Sequence, residues 1–382
     1  MKKTLAAVAV LGAFAGSAFA ADVTLYGVVD LGLNYSHVDM DGQGDDLDNF
    51  TMESGQQSGS RWGLKGTEDL GNGLTVGFVL ENGFAADSGA DNDPMFDRES
   101  MLFLEGDFGK LAFGRIGSFN QGQGSFSLIG NLTPFGTSFG DYAAQAGNMF
   151  STSTRYENSI VYRTPSFAGF QVTAMYSMGG NDEGENESTT DRYYGIAATY
   201  SNGPAYVLLG VDSINYASVD ANGAVTDVDD SLTVTLGGSW DFEVAKAYLG
   251  AQYFDEVTIG SIGGIVDNNG VNNFFGTGTG KMSDLKVKGY GIGLGVDAPV
   301  AGGKVMAAAA YMDAEQADSS AYDFDLTRWV VSVGYDYPLS KRTNVYGVMS
   351  YMDDEIEGKG NQTGTDWNPS AYTFMVGMRH KF

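Results

Sequence analysis

Tyr372-Thr373-Phe374-Met375-Val376-Gly377-Met378-Arg379-His380-Lys381-Phe382 separates into two faces when extended. Side chains in a strand alternate with period two. Tyr372, Phe374, Val376, Met378, His380 and Phe382 therefore share one side, and Thr373, Met375, Gly377, Arg379 and Lys381 the other. The first face is aromatic and apolar, the second small or charged, and the stretch closes on a Phe carboxylate. A soluble domain seldom puts such a residue on its most apolar strand edge. A sheet rolled into a tube across a bilayer does, because lipid takes the apolar face and a wet lumen the polar one.

Upstream, Lys2 and Lys3, the apolar residues 5–14 and Ala18-Phe19-Ala20 read as a removable export signal over residues 1–20, cut between Ala20 and Ala21. Residues 21–382 then form one barrel domain. The signal's apolar stretch is too short to span a bilayer, and no later run reaches the roughly 18 apolar residues of a membrane helix. Without Lys2 and Lys3, 21 basic residues become 19 against 48 acidic ones, a net charge of 19 − 48 = −29. Such a chain has no basic face for nucleic acid. It has no cysteine despite export, and the closed ladder of a barrel could supply the stability that disulfides usually give a secreted fold. Its 55 glycines and 7 prolines suit many tight turns between strands that cannot spare a donor.

The fold expected is all-β: a 16-stranded antiparallel transmembrane β-barrel. Its strands are placed at 22–38, 59–68, 73–83, 97–107, 109–116, 155–165, 169–178, 192–201, 205–216, 231–241, 243–254, 285–297, 303–313, 325–337, 342–352 and 371–382. Short connections, as at 69–73, 107–109 and 201–204, alternate with long polar ones such as 39–58, 179–191, 215–230 and 255–284. That is the pattern of periplasmic turns and outer loops with both chain ends inside. Residues 117–154 differ from the other long loops, being rich in Gly, Ser, Phe and Asn with Asp141 as the only charge. A nearly neutral, aromatic loop should bury itself, and the free volume in a large barrel is its lumen. We read it as the third outer loop folded inward; packing on the outer mouth is the alternative.

Several stretches resemble the general diffusion porins of beta-proteobacteria, the neisserial and Burkholderia-type family. They include the opening residues 23–30 (VTLYGVVD), 60–74 (SRWGLKGTEDLGNGL), 80–84 (LENGF), 108–115 (FGKLAFGR), 158–162 (NSIVY), 337–343 (YPLSKRT) and the closing 377–382 (GMRHKF). The resemblance implies a homotrimer in the outer membrane of a Gram-negative bacterium, each barrel having an inward third loop. It also implies outer-membrane lipid and lipopolysaccharide as surroundings, and recognition of the closing strand, with Phe382, by the barrel assembly machinery.

In such a tube the chemistry is electrostatics at a narrow wet place. Parity puts Trp62 and Leu64 outward and Arg61 and Lys65 inward. It puts Met101 and Phe103 outward, leaving Arg98 inward, and sets Tyr156, Ile160 and Tyr162 outward against inward Arg155, Glu157 and Arg163. A charge facing lipid at mid-depth costs roughly 2–4 kcal/mol, which supports these assignments. Arg61, Arg98 and Arg155 also resemble the family's basic constriction cluster. Arg115 joins them only if Gly114 turns the chain, because simple parity sends it out with Phe113. The bland alternative for each arginine is a structural pair with Asp30, Glu81 or Glu157. Asp141 is the one acid the loop can offer opposite them, which favours anions in the narrows. Acidic outer loops oppose that by concentrating cations at the mouth.

Asp39, Asp41, Asp45, Asp46 and Asp48 crowd one outer loop and could loosely hold Ca or Mg, but they lack EF-hand spacing. A solvated acidic loop is the preferred reading, with no cofactor and no dedicated metal site. Tyr26, Trp62, Tyr162, Tyr200, Trp240 and Tyr337 are expected in interfacial girdles or in trimer packing. His37 and His380 lie at opposite strand ends, so no enzyme site is expected. The function expected is a porin passing small hydrophilic solutes and ions by passive diffusion, weakly anion-preferring. The alternatives are a solute-selective porin for small carboxylates and a surface adhesin.

Overall fold

The computed structural model describes residues 23–179, 190–217, 229–265, 282–317, 322–360 and 365–382. The export signal and its Ala20–Ala21 cleavage site lie outside them. The strands are β1 (Thr24–Asp39), β2 (Leu47–Ser54), β3 (Arg61–Gly71), β4 (Leu74–Gly83), β5 (Glu99–Gly106) and β6 (Gly109–Gly117). They continue as β7 (Arg155–Arg163), β8 (Phe170–Ser177), β9 (Arg192–Asn202), β10 (Ala205–Asn215), β11 (Leu232–Asp241) and β12 (Lys246–Thr258). The last are β13 (Lys286–Val300), β14 (Gly303–Gln316), β15 (Phe324–Pro338), β16 (Thr343–Gly358), β17 (Asp366–Trp367) and β18 (Ser370–Lys381).

All join one antiparallel sheet, and β18 returns to β1 from Val28↔Lys381 to Asp39↔Ser370, closing the ring. Sixteen of the strands make the barrel. The expected sixteen segments all appear, and two pieces were not foreseen. β2 pairs with the outer half of β1 (Leu31–Val38), where β3, paired with Thr24–Val28, no longer reaches. β17 is a two-residue addition to the outer end of β16. Between β2 and β3 the chain bends into the lumen, where Asp30 Oδ2 accepts the Gln57 and Ser58 amides at 2.9 and 2.7 Å. A carboxylate near the start of β1 thus organises this break in the wall.

The lipid face is the apolar stripe that alternation requires: Leu209, Leu236, Trp240, Trp329, Val333, Phe374 and Met378 are all exposed. Trp62, Tyr162, Tyr200, Trp240 and Tyr337 lie on this side, but Tyr26 does not. Its hydroxyl donates to Glu81 Oε2 inside the barrel at 3.1 Å. The seam is fastened by a reciprocal pair, Phe382 N–H to Gly27 O and Gly27 N–H to Phe382 O, both 3.1 Å. The Phe382 ring fills the space that a Cβ on Gly27 would need, at 2.3 Å from its Cζ. Gly27→Ala should therefore destabilise the closed barrel by about 1–3 kcal/mol, the range for overpacking. The check is urea unfolding of the purified protein; an unchanged midpoint would mean that the ring simply moves aside.

The third outer loop, residues 118–154, is folded into the tube. Phe119, Phe126, Ile129, Leu132, Phe135, Phe139, Met149 and Phe150 are all buried there. It holds a 3₁₀ turn (Ile129–Leu132) and a helical turn (Ala146–Met149). The facing wall has been cleared for it. Gly291, Gly293 and Gly295 form a period-two stripe on the lumen side of β13, against Met149 O, Met149 Cε and Pro134 Cδ at 2.0, 1.6 and 2.4 Å from where a Cβ would stand. Any larger residue would push the loop away.

Candidate pore constriction

Arg61 and Arg98 converge on Glu81, and Arg155 from a third wall segment meets them at one residue of the inward loop. Glu81 sits on β4 opposite Gly63 and Glu99. Its Oε2 lies 3.3 Å from Arg61 Nε and its Oε1 2.7 Å from Arg98 Nε. Gln123 Oε1 accepts from Arg98 Nη2 at 3.1 Å and from Arg61 Nη1 at 3.4 Å. The Gln123 backbone carbonyl accepts from Arg155 Nη2 at 3.2 Å, and its side-chain amide donates to Ser138 Oγ at 2.6 Å. Arg61, Arg98 and Arg155 are thus brought together around a neutral glutamine.

Glu99, the second acid here, is engaged by the loop, accepting from Ser125 N at 2.6 Å and Ser125 Oγ at 2.7 Å. Arg163 lies beyond, 4.6 Å from the Phe126 ring centroid, with Nη1 donating to Ser125 O at 3.3 Å. On the other side a cleft of about 290 Å³ runs between the loop tip and the wall, lined by Arg61 and Arg379 among others. Towards the periplasmic end, Lys304, Lys341, Arg342, Arg379 and Lys381 line a further cleft that contains one acid, Asp336. At the outer rim Lys359 pairs with Asp325, which holds its ammonium above the usual lysine range.

Three of the sequence-named residues lie apart from the cluster. Arg115 does not join it: a bulge at Gly114 (φ +132) shifts the register, and Arg115 instead donates to Asp97 O and pairs with Glu157 at 3.1 Å. Lys65 is two pleat repeats lower, about 13 Å from Arg61 along β3, with Nζ 5.0 Å from the Tyr26 ring centroid. Asp141 is exposed, its carbonyl held by Asn148 Nδ2 at 2.7 Å, on the side of the loop where Gly140 meets Met375.

Parity also needs correcting twice. Met101 and Phe103 point inward, packed in one buried cluster with loop residue Phe126, while Leu102 is exposed to the lipid side. Arg98 reaches the lumen because it precedes β5 rather than belonging to its alternation. Tyr156 likewise faces in, stacked on Tyr193 at 4.5 Å, while Glu157 stays outside the cluster because Asn158 (φ +48) interrupts β7. Gln123, the residue that ties the three arginines together, was missed. Nothing in a Gly-Gln-Gly triplet marks it except its place in a long loop with a single charge.

The acidic outer loop uses its carboxylates internally. Asp39 accepts the Asp41 amide, Asp46 the Met40 amide, and Asp48 bonds to Tyr35 and His37. Among the described residues no group of three or more His, Cys, Asp or Glu side chains could hold a metal ion. His380 pairs opposite Val29 and is therefore about 26 Å along β1 from His37.

A closed sixteen-stranded tube with an apolar exterior, a charged lumen and a loop folded into its waist defines a transmembrane β-barrel of the bacterial outer membrane. The chain belongs to the Gram-negative porin family, whose model matches residues 6–357. It is 35% identical to an outer membrane porin protein of Bordetella pertussis and 33% identical to outer membrane porin protein 32 of Delftia acidovorans, each over 100% of both chains. Among solved structures it is similar to the anion-selective porin from Comamonas acidovorans, with TM-score 0.67 and 28% identity, covering 95% of this chain and 100% of that one. The trimer form of OmpT of Vibrio cholerae, at 17% identity and TM-score 0.58, shares the fold. Members of this family are channels rather than enzymes, and the protein resides in the outer membrane of a Gram-negative bacterium.

Proposed function

We propose that the protein is a passive channel for small hydrophilic solutes and ions, weakly anion-preferring. One observation carries the selectivity: Arg61, Arg98 and Arg155 meet a loop residue with no charge of its own, so the loop does not balance them. The similar Comamonas porin is itself anion-selective, which supports the reading. Planar guanidinium forks would suit small carboxylates, and that favours a solute-selective porin as the second reading. An adhesin would need neither the inward loop nor the arginines. The assembly is a homotrimer set in lipid and lipopolysaccharide, delivered by the barrel assembly machinery through the closing strand. The acidic outer loops hold Ca or Mg at most loosely.

The acidic mouth attracts cations within a Debye length of about 8 Å at physiological ionic strength and about 3 Å at 1 M. Anion preference is therefore expected to rise with salt, as the mouth is screened before the buried arginines. Reversal potentials across a planar bilayer, in KCl gradients centred at 0.05 M and 1 M, give the test. Cation preference at the higher salt would overturn the assignment, and absence of a stable conductance in steps of three would favour the adhesin.

A further inference from the structure

Of the 21 basic residues in this acidic chain, five line one cleft of about 350 Å³ at the periplasmic end of the lumen. Four neighbouring strands build it. Lys304 of β14 pairs opposite Asp336 of β15, and Asn344 of β16 opposite Arg379 of β18, while the Lys381 amide donates to Arg342 O at 2.8 Å. Period two then sets Lys381 on the same face as Arg379, about 7 Å further along the strand. No acid neutralises this group. Asp336 Oδ1 accepts from Asn344 Nδ2 at 2.8 Å and Oδ2 from Gln57 Nε2 at 2.7 Å, so neutral amides hold both its oxygens. Lys304 has its own partner, Asp297, at 3.4 Å. Among the described residues Lys341, Arg342, Arg379 and Lys381 form no ion pair.

These groups are also reachable. Lys341, Arg342 and Lys381 are exposed, and Arg379 uses only Nε, which donates to Asn344 Oδ1 at 3.1 Å. Ser340 Oγ accepts the Arg342 and Thr343 amides at 3.2 and 3.0 Å, which fixes the turn that carries Lys341 and Arg342. Like charges held this close repel one another, and in a chain with 48 acids the missing counter-charge is one that arrives from solution. Two guanidinium forks and two ammonium groups around one cleft suit an anion with several oxygens and more than one charge, which can bridge them. We infer that this cleft binds small multivalent phosphates at the periplasmic exit of the lumen. Arg379 also lines the cleft beside Arg61, so the exit site stands in line with the constriction. An anion that leaves Arg61 meets Arg379 next and the rim cations last; only this order of passage rests on the channel reading above.

The test is titration calorimetry of inorganic pyrophosphate into the purified full-length protein, with acetate as the monovalent control. In about 0.15 M KCl the diffuse field of the lumen is screened beyond about 8 Å, so only direct contact survives. Saturable pyrophosphate binding is expected, weakened on the order of tenfold by the double variant Lys341→Gln with Arg342→Gln, as for loss of a bond to a charged group. Lys381→Gln, on another strand, is the second variant, with a loss of about fivefold for one charge. Arg155→Gln reports on the constriction instead. A larger loss in either exit variant than in Arg155→Gln upholds the site. No saturable binding, equal binding of acetate, or a loss no larger than that of Arg155→Gln in both exit variants would overturn it. The readout does not depend on conductance. Pyrophosphate binding by a protein that opens no channel would sink the function proposed above and leave this site standing, and an anion-preferring channel without that binding would do the reverse.

Discussion

Replacing Arg328 with Met is expected to cost about 3–5 kcal/mol of folding stability, the usual result of stranding one half of a buried ion pair. Arg328 on β15 and Asp354 on β16 are both completely buried. The guanidinium grips the carboxylate with two bonds, Nε to Oδ1 at 2.6 Å and Nη2 to Oδ2 at 3.0 Å. Its other contacts are the carbonyls of Ile262 and Gly263, while Asp354 Oδ2 also accepts the Ile265 amide at 3.0 Å. Gly264, at φ +89, lies so close that a Cβ would stand 1.8 Å from Arg328 Nη2.

The pair is therefore a peg for a second segment that enters the lumen. Its helical turn, Ile259–Ile262, buries Ile259 and Ile262 in the same cluster as Met149 and Phe150 of the third loop. Ser261 O accepts the Thr152 amide at 2.8 Å, so the two inward segments brace each other. Urea unfolding of Arg328→Met, against the double variant with Asp354→Leu, separates the causes. The double variant should recover most of the loss, since an apolar pair of similar volume replaces buried charges at little cost. A single variant as stable as the wild type would show that the peg carries nothing.

Glu81→Gln should raise the anion-to-cation permeability ratio by as much as about 25-fold, and Arg98→Ala should lower it by a similar factor. One unit charge about 4 Å from a passing ion is worth about 1 kcal/mol in a water-like dielectric, about fivefold, and it acts in opposite senses on anion and cation, so the two factors multiply. Glu81 now offsets part of both Arg61 and Arg98, and removing its charge frees both guanidinium groups. Reversal potentials under one KCl gradient measure the change. Shifts of the same sign in the two variants would remove the cluster from the ion path.

The barrel was legible because lipid and water impose opposite demands on alternate residues of each strand. Tyr372 to Phe382, Phe170 to Ser177 and Arg328 to Tyr337 alternate cleanly, and the closing stretch was placed on the correct face. Loop 117–154 was legible for a related reason. A segment with one charge and many aromatics has no business among solvated acidic loops. The arginine cluster was half legible: the inward placement of Arg61, Arg98 and Arg155 follows from residue type and resemblance, but Gln123 and the departure of Arg115 do not.

Where reading failed, both faces of a strand were apolar. Met101-Leu102-Phe103-Leu104 has no polar parity, so period two says that faces alternate without saying which one is wet. The inward loop settles it by placing Phe126 in the lumen beside Met101 and Phe103. Bulges at Gly114 and Asn158 then reset the alternation for Arg115, Tyr156 and Glu157. Residues 255–265 looked like another solvated outer loop. Their descent depends on Arg328 and Asp354, more than sixty residues away in sequence, and only folding could bring that partner to them.

What the chain determined by itself is therefore the tube, its closing seam and the neutrality of the loop at its waist, because each is a local pattern of apolar, charged and small side chains. Tertiary structure alone decided which charges meet and which segments leave the mouth for the lumen. Those outcomes rest on close approach between distant strands, where a glycine stripe or a buried carboxylate makes room for one neighbour and no other.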